Sequence, residues 1–314
     1  MAKKVHAPET LQKGDALPPD VQALVNEMAK RKNGVSSARR SPYATLWTII
    51  LSIISVVYLV PIILVFINSF KKKIFINKNP FSLPNGDSFS SISNYTEGVE
   101  KIGFFSALQN SAIITVGSVI VIILCTSMCG WYITRVNSFF TKCLYYLCVF
   151  SMIVPFQMVM YTLAKTADRL KLNSPFTIIV VYLGFGAGLA VFMFCGFAKS
   201  IPIEIEEAAM IDGCNPIQTY FKVVMPILRP TCISVAILEA MWIWNDYLLP
   251  SLVLDTTKYK TVPIAIQYLK GGYGAVDMGS MMAMLVLAIV PIIIFYLVCQ
   301  KYIIEGVVSG AVKG

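Results

Sequence analysis

The chain has 314 residues, 56% hydrophobic and only 14% charged, with a mean hydropathy of +0.69. Soluble globular domains carry about 25% charged residues, so an ordinary water-soluble fold is excluded and apolar runs of bilayer length are implied. A net charge of +9 does not read as nucleic-acid binding, because no basic patch interleaves with aromatics; basic residues flanking apolar spans instead orient a protein in a membrane and meet anionic lipid.

Residues 1–44 are polar and of mixed charge, with Pro18-Pro19 and the cluster Lys30-Arg31-Lys32. Their apolar content begins too late for a signal peptide. Asp20 is placed to cap a short helix with Val21, Leu24, Val25 and Met28 on one face, suited to a membrane surface; a mobile tail is the other reading of this segment. Six spans follow, at about 45–68, 106–130, 143–163, 175–197, 231–250 and 279–300. Between the first two lies a polar loop with Lys71-Lys72-Lys73 and Asn79-Pro80-Phe81. Backbone groups inside a bilayer must bond to one another, so the expected fold is an all-α, polytopic membrane helical bundle. An even number of spans puts both ends on one side. The basic N-terminal segment places that side in the cytoplasm, although the triple lysine at 71–73 works against it. The chain then divides into a cytoplasmic segment 1–44, a permease domain 45–302 and a cytoplasmic tail 303–314.

Residues 200–230 form a polar island between apolar runs. Ser200 suits a helix cap and Pro202 its early turn. Glu204, Glu206 and Glu207 follow where the helix dipole favours carboxylates. Gly213 suits the left-handed residue that ends a helix. Asn215-Pro216 then reads as the cap and first-turn proline of a second helix. Ile217, Tyr220, Phe221 and Val224 recur at i, i+3, i+4, i+7 and give it one apolar face, and Pro226 and Pro230 close it. The pattern is a helical elbow just outside a membrane.

The chain carries neither a phosphate-cradling G-x-x-x-x-G-K-[ST] nor a dinucleotide fingerprint. Its one histidine, His6, lies in the polar segment, which removes most histidine-based catalysis and metal chemistry. The eight cysteines mostly sit in apolar runs without zinc-ribbon spacing and read as packing residues. Any uphill transport must draw its energy from another subunit or an ion gradient.

Glu207-Ala208-Ala209, Gly213 after three residues, and Val223-x-Met225-Pro226 after nine more resemble the EAA loop of ABC importer permeases. Valine and methionine stand where that family has isoleucine and leucine. Asp212, Trp244-Asn245-Asp246, Asn79-Pro80-Phe81 and a terminus of Gly310-Ala311-Val312-Lys313-Gly314 are similar to the carbohydrate branch, the maltose-type smaller permease. The likeness runs from about residue 45 onward.

That resemblance implies a translocation subunit, not an enzyme, moving a sugar or oligosaccharide by alternating access. It implies a second homologous permease, two cytoplasmic ATPase subunits that bind ATP and Mg, and an extracytoplasmic solute-binding protein. The chain itself would carry no cofactor. The elbow would be the coupling-helix pair: Glu206 and Glu207 are candidates for ion pairs with the ATPase, Ala208 and Ala209 allow close approach, Asp212 precedes the corner, Gly213 makes it, and Pro226 ends the motif. The loop 251–278, through Gly271, Gly272 and Tyr273, would reach the binding protein. The tail would extend between the ATPase subunits.

Polar residues inside spans are costly and usually functional. Glu239 lies in the middle of the fifth span, and Trp242, Asn245 and Asp246 lie toward its outer end. Aromatic rings beside amides and carboxylates suit a sugar pathway or gate, while Trp near a span end also serves as an interfacial anchor. Two other readings stay open: an ABC permease for a non-sugar solute, and an ion-gradient transporter with Glu239 or Asp246 relaying protons.

Overall fold

The computed structural model describes residues 42–270 and 276–311. The expected helix near Asp20, the loop residues Gly271, Gly272 and Tyr273, and Val312-Lys313-Gly314 lie outside the described residues. Among those described, no strand forms beyond isolated bridges. The chain is a helical membrane bundle, as its apolar runs require.

Four helices are long and apolar enough to cross a membrane. They are α1 (Pro42–Ser69), α4 (Phe104–Arg135), α7 (Ile178–Ala198) and α14 (Met278–Ala311). Short helices α2 (Lys73–Lys78) and α3 (Ser93–Ile102) occupy the polar loop after α1. Two further helix pairs are long and apolar enough to cross only when each pair is taken together, and both are bent. Helices α5 (Phe139–Ser151) and α6 (Phe156–Arg169) meet at 106°. This corrects the continuous third span expected at 143–163. Pro155, the N-cap of α6, has no N–H to carry the α5 ladder forward. The elbow and α11 (Arg229–Asn245) likewise meet at 74°, where Pro230 opens α11. Counting each bent pair once gives six spans. The fifth ends at Asn245 rather than 250, because Asp246 turns extended before α12 (Leu248–Val253). The expected tail begins as a continuation of α14, which stays helical to Ala311.

Each part of the chain follows from burial. In α1, every residue from 51 to 60 is exposed, an apolar surface that lipid tolerates and water does not. The segment from Ile62 onward has its own core. There α4 packs along α7, and the crossing is tight: a Cβ on Gly130 would lie 2.8 Å from the Phe194 Cβ. Small residues at such crossings let helix backbones approach in a membrane. Ile114 and Ile122 of α4, Tyr182 and Phe194 of α7, and Val235 and Ile243 of α11 fill the main core. A second cluster joins Phe104 and Ala107 of α4 to Ala283 and Met284 of α14 and to α13 (Val262–Gln267).

The polar loop is ordered by a buried lysine. Lys71 is fully buried. Its Nζ donates to the Asn79 carbonyl at 3.0 Å and to Pro80 O and Ser82 Oγ at 3.4 Å. Burial pushes its ammonium below the ordinary lysine range. The triple lysine therefore presents Lys72 and Lys73 to solvent but not Lys71. Lys101 Nζ ties α3 to the start of α14 through Asp277 Oδ2 at 2.7 Å, and it also meets Glu97 Oε2 at 3.0 Å. All eight cysteines are free thiols.

Candidate functional site

The elbow is built from α8 (Ile203–Ile211), α9 (Pro216–Thr219), a π-helical turn (Tyr220–Val224) and α10 (Met225–Ile227). Pro202, not Ser200, is the N-cap of α8. Ser200 Oγ instead donates back to the Phe197 carbonyl at 2.7 Å, finishing α7. Glu204 and Glu206 lie in the first turn of α8, where the exposed N–H dipoles favour carboxylates.

The corner is a Schellman motif. Cys214 N–H bonds the Ala209 carbonyl and Gly213 N–H bonds that of Met210, both at 3.0 Å. Gly213 has φ +90°, and an added Cβ would meet nothing within 4 Å. Glycine is required here by backbone conformation and not by crowding. Asn215 and Gln218 then form a reciprocal capping box at 2.9 and 3.0 Å, with Pro216 in the first turn.

The expected apolar face of the second arm splits in two. Tyr220 and Val224 are completely buried, whereas Ile217 is 65% and Phe221 48% exposed. The cause is the π turn, closed by Met225 N–H on the Tyr220 carbonyl. Wider winding brings Tyr220 and Val224 nearly into line and swings Phe221 outward.

The two adjacent glutamates also part. Glu206 is buried and held from inside the chain. Arg135 Nη2 and Nε donate to its Oε1 at 2.7 and 2.9 Å, and Trp131 Nε1 donates to its Oε2 at 3.0 Å. Arg135 Nη2 also bonds the Ile201 carbonyl at 2.9 Å. Glu206 was expected to face a partner subunit; its oxygens are instead taken by α4. Glu207, Ala208, Asp212, Gly213 and Pro226 are exposed, and Ala209 is buried beneath them. The elbow also exposes Ile203, Ile205, Met210, Ile211, Ile217 and Phe221.

The residues expected along a substrate pathway do not converge. Glu239 is 2% exposed, and its Oε2 has no hydrogen-bond partner among the described residues. It packs where Gly186 leaves room: a Cβ there would lie 2.9 Å from Glu239 Oε2 and 2.7 Å from Ile122 Cδ1. Trp242 sets its edge on Tyr182, with centroids 5.6 Å apart. Asp246 is structural. Its Oδ1 accepts the N–H groups of Leu248 and Leu249 at 3.0 and 3.3 Å, and its Oδ2 accepts the Tyr182 hydroxyl at 3.2 Å. Asn245 opens onto a groove.

That groove, of about 300 Å³, is lined by Trp244, Asn245, Tyr247 and Gln267, with Leu285 and Ile289 as its apolar wall. A second, apolar cavity of about 270 Å³ lies between α4, α11 and α14 and includes Thr115, Ala236 and Pro291. Glu239 lines neither. Sequence reasoning passed over Gln267 and the grip of Arg135 and Trp131. An arginine four residues after a tryptophan, at the end of a long apolar helix, was the available signal.

Comparison with known proteins accords with this architecture. The family model described as "binding-protein-dependent transport system inner membrane component" matches residues 122–308. A probable starch degradation products transport system permease protein, AmyC of Thermoanaerobacterium thermosulfurigenes, is 35% identical, over 83% of this chain and 94% of the relative. MsmG, a multiple sugar-binding transport system permease protein of Streptococcus mutans, is 33% identical over 84% and 95%. A bacterial ABC transporter involved in the import of the acidic polysaccharide alginate superposes with a TM-score of 0.71 at 21% identity, covering 85% of this chain and 98% of that one. At that identity the likeness shows the fold. The chain therefore belongs to the family of inner membrane components of binding-protein-dependent transport systems, as a multi-pass permease.

Proposed function

We propose that this chain is the translocation subunit of an ATP-driven importer for a sugar or oligosaccharide handed over by an extracytoplasmic binding protein. It works beside a second, homologous permease and two cytoplasmic ATPase subunits, which bind the ATP and Mg. Both termini and the elbow face the cytoplasm. The observation that carries the reading is the elbow's outer face. Glu207, Ala208, Asp212, Ile211, Ile217 and Phe221 are exposed together, on an element anchored by buried bonds to α4, in a chain with no nucleotide-binding motif of its own. Apolar side chains beside carboxylates suit a partner's groove, where charge fixes register more than it adds affinity. ATP closes the two ATPase subunits, the elbow follows, and the bundle alternates between outward and inward access.

The sugar cargo draws support from the printed names of AmyC and MsmG and from the groove chemistry. Trp244 and Tyr247 offer faces to a pyranose ring, and Asn245 and Gln267 offer amides to its hydroxyls. Glu239, Trp242 and Asp246 serve the frame of the pathway; Asn245 touches cargo. The test is reconstitution of the chain with its partner permease, ATPase and candidate binding proteins in liposomes. ATP hydrolysis stimulated by a carbohydrate-loaded binding protein is expected. No stimulation by any carbohydrate, with stimulation by another solute, overturns the cargo and leaves the permease assignment standing.

A further inference from the structure

Both arms of the elbow are gripped by one stripe of one helix. Ser127, Trp131 and Arg135 lie at i, i+4 and i+8 on the last turns of α4 and so share a face. Arg135 and Trp131 take the two oxygens of Glu206 on α8. Ser127 Oγ meets the Tyr220 hydroxyl at 2.6 Å on the π turn. Trp131 serves both arms, because its ring also packs on Tyr220 at 5.4 Å. Arg135 reaches further, to the Ile201 carbonyl in the turn that leads into α8.

These are not surface contacts. Glu206 and Tyr220 are 4% and 0% exposed, and the side chain of Arg135 is 18% exposed. A guanidinium fork and an indole N–H on one carboxylate fix orientation as well as distance. Behind the stripe, Gly130 brings α4 against Phe194 and Cys195 of α7 with no room for a side chain between them.

We propose that the last turns of α4 and both arms of the elbow move as one rigid body, and that Glu206 is the positioning residue that locks it. A push on the outer face of the elbow is then delivered to α4, and through the Gly130 crossing to α7. The corner at Leu228, where the elbow meets α11 at 74°, marks the end of that body. This rests on the reading of the elbow as the coupling element for an ATPase, and it adds which helix receives the motion and through which atoms.

The test uses the assembled transporter in nanodiscs, with spin labels at Tyr132→Cys and Glu204→Cys, both exposed positions, in a background without native cysteines. One narrow inter-label distance is expected, unchanged when ATP and Mg are added. In Glu206→Gln and Arg135→Gln it should broaden, with Arg135→Lys intermediate because it keeps a charged bond but loses the fork. The same variants should hydrolyse ATP while uptake of a maltodextrin probe per ATP falls about tenfold. A distance that shifts with ATP in the wild type, or that stays narrow in Glu206→Gln, overturns the proposal. So does a fall in uptake and hydrolysis that only tracks loss of assembled complex. A wild-type complex with no ATP-driven uptake would instead fail the functional reading, while the label distances would still decide whether α4 and the elbow are one body.

Discussion

Glu206 and Glu239 are buried to nearly the same degree, 4% and 2% exposed, yet their surroundings are opposite. Glu206 lies in the elbow with donors on both oxygens. Glu239 lies mid-helix in α11 with no partner for Oε2, against a glycine that leaves it space. The first carboxylate is part of a joint. The second occupies a gap in helix packing. Burial alone therefore does not mark a working residue here; the count of donors around it does.

The contrast can be broken from the large end. Arg135→Ala strands Glu206 in a dry site, and losing one member of a buried pair costs roughly 3–5 kcal/mol. A marked drop in the thermal midpoint of the detergent-purified complex is expected; an unchanged midpoint would mean the pair is solvated in practice. Gly213→Val forces a β-branched residue to φ +90°, a strain on the order of 1–3 kcal/mol. ATP-driven uptake should be abolished while the protein remains in the membrane; normal uptake would show that the corner tolerates another geometry. Asp246→Ala removes the acceptor for two N–H groups and the Tyr182 hydroxyl, for about 0.5–2 kcal/mol. It should lower stability more than it changes sugar stimulation, and the reverse ranking would return Asp246 to the pathway.

Smaller effects sharpen the same scale. Burial alone would raise the Asp277 carboxyl, but hydrogen bonds from Lys101 and Ser280 outweigh it and hold the group below its ordinary range. Its contribution is full above the ordinary aspartate value of about 3.9 and is lost as pH falls through the lower folded value. Both partners are partly exposed, so the loss is about 0–1 kcal/mol, to be read from acid melts of Lys101→Met against wild type. Glu239→Gln should change least, because an amide forfeits no bond at Oε2. A melting shift as large as that of Arg135→Ala would reveal a partner for Glu239 in the assembled transporter.

The spans were legible because apolar runs of bilayer length leave the backbone one solution, and the elbow because its corner is written locally in Gly213, Asn215 and Pro216. One break was under-read. Pro155 was visible, but whether a proline kinks a helix or ends it depends on what surrounds it. The lock on Glu206 was beyond reach, since Arg135 lies 71 residues away and no local pattern pairs them. The split of Tyr220 from Phe221 required the π turn, which composition does not announce. Asp246 was chosen for its chemistry as a structural or gate residue, and the structure uses that chemistry to bond the first N–H groups of α12.

The π turn bears on how this stretch can vary. An α-helix advances about 100° per residue, and a π turn accommodates one residue more than an α turn in the same length of axis. From Gly213 to Pro226, the number of residues and the angle through which side chains rotate are thus out of step by one. Removing a single residue within Tyr220–Val224 would let the arm rewind as a plain helix. The α turn left behind closes the same angle with one residue fewer, so Ile217 and Pro226 would both keep their aim. A one-residue deletion is thus absorbed within the π turn, whereas the same deletion inside a regular α-helix turns everything after it by about 100°.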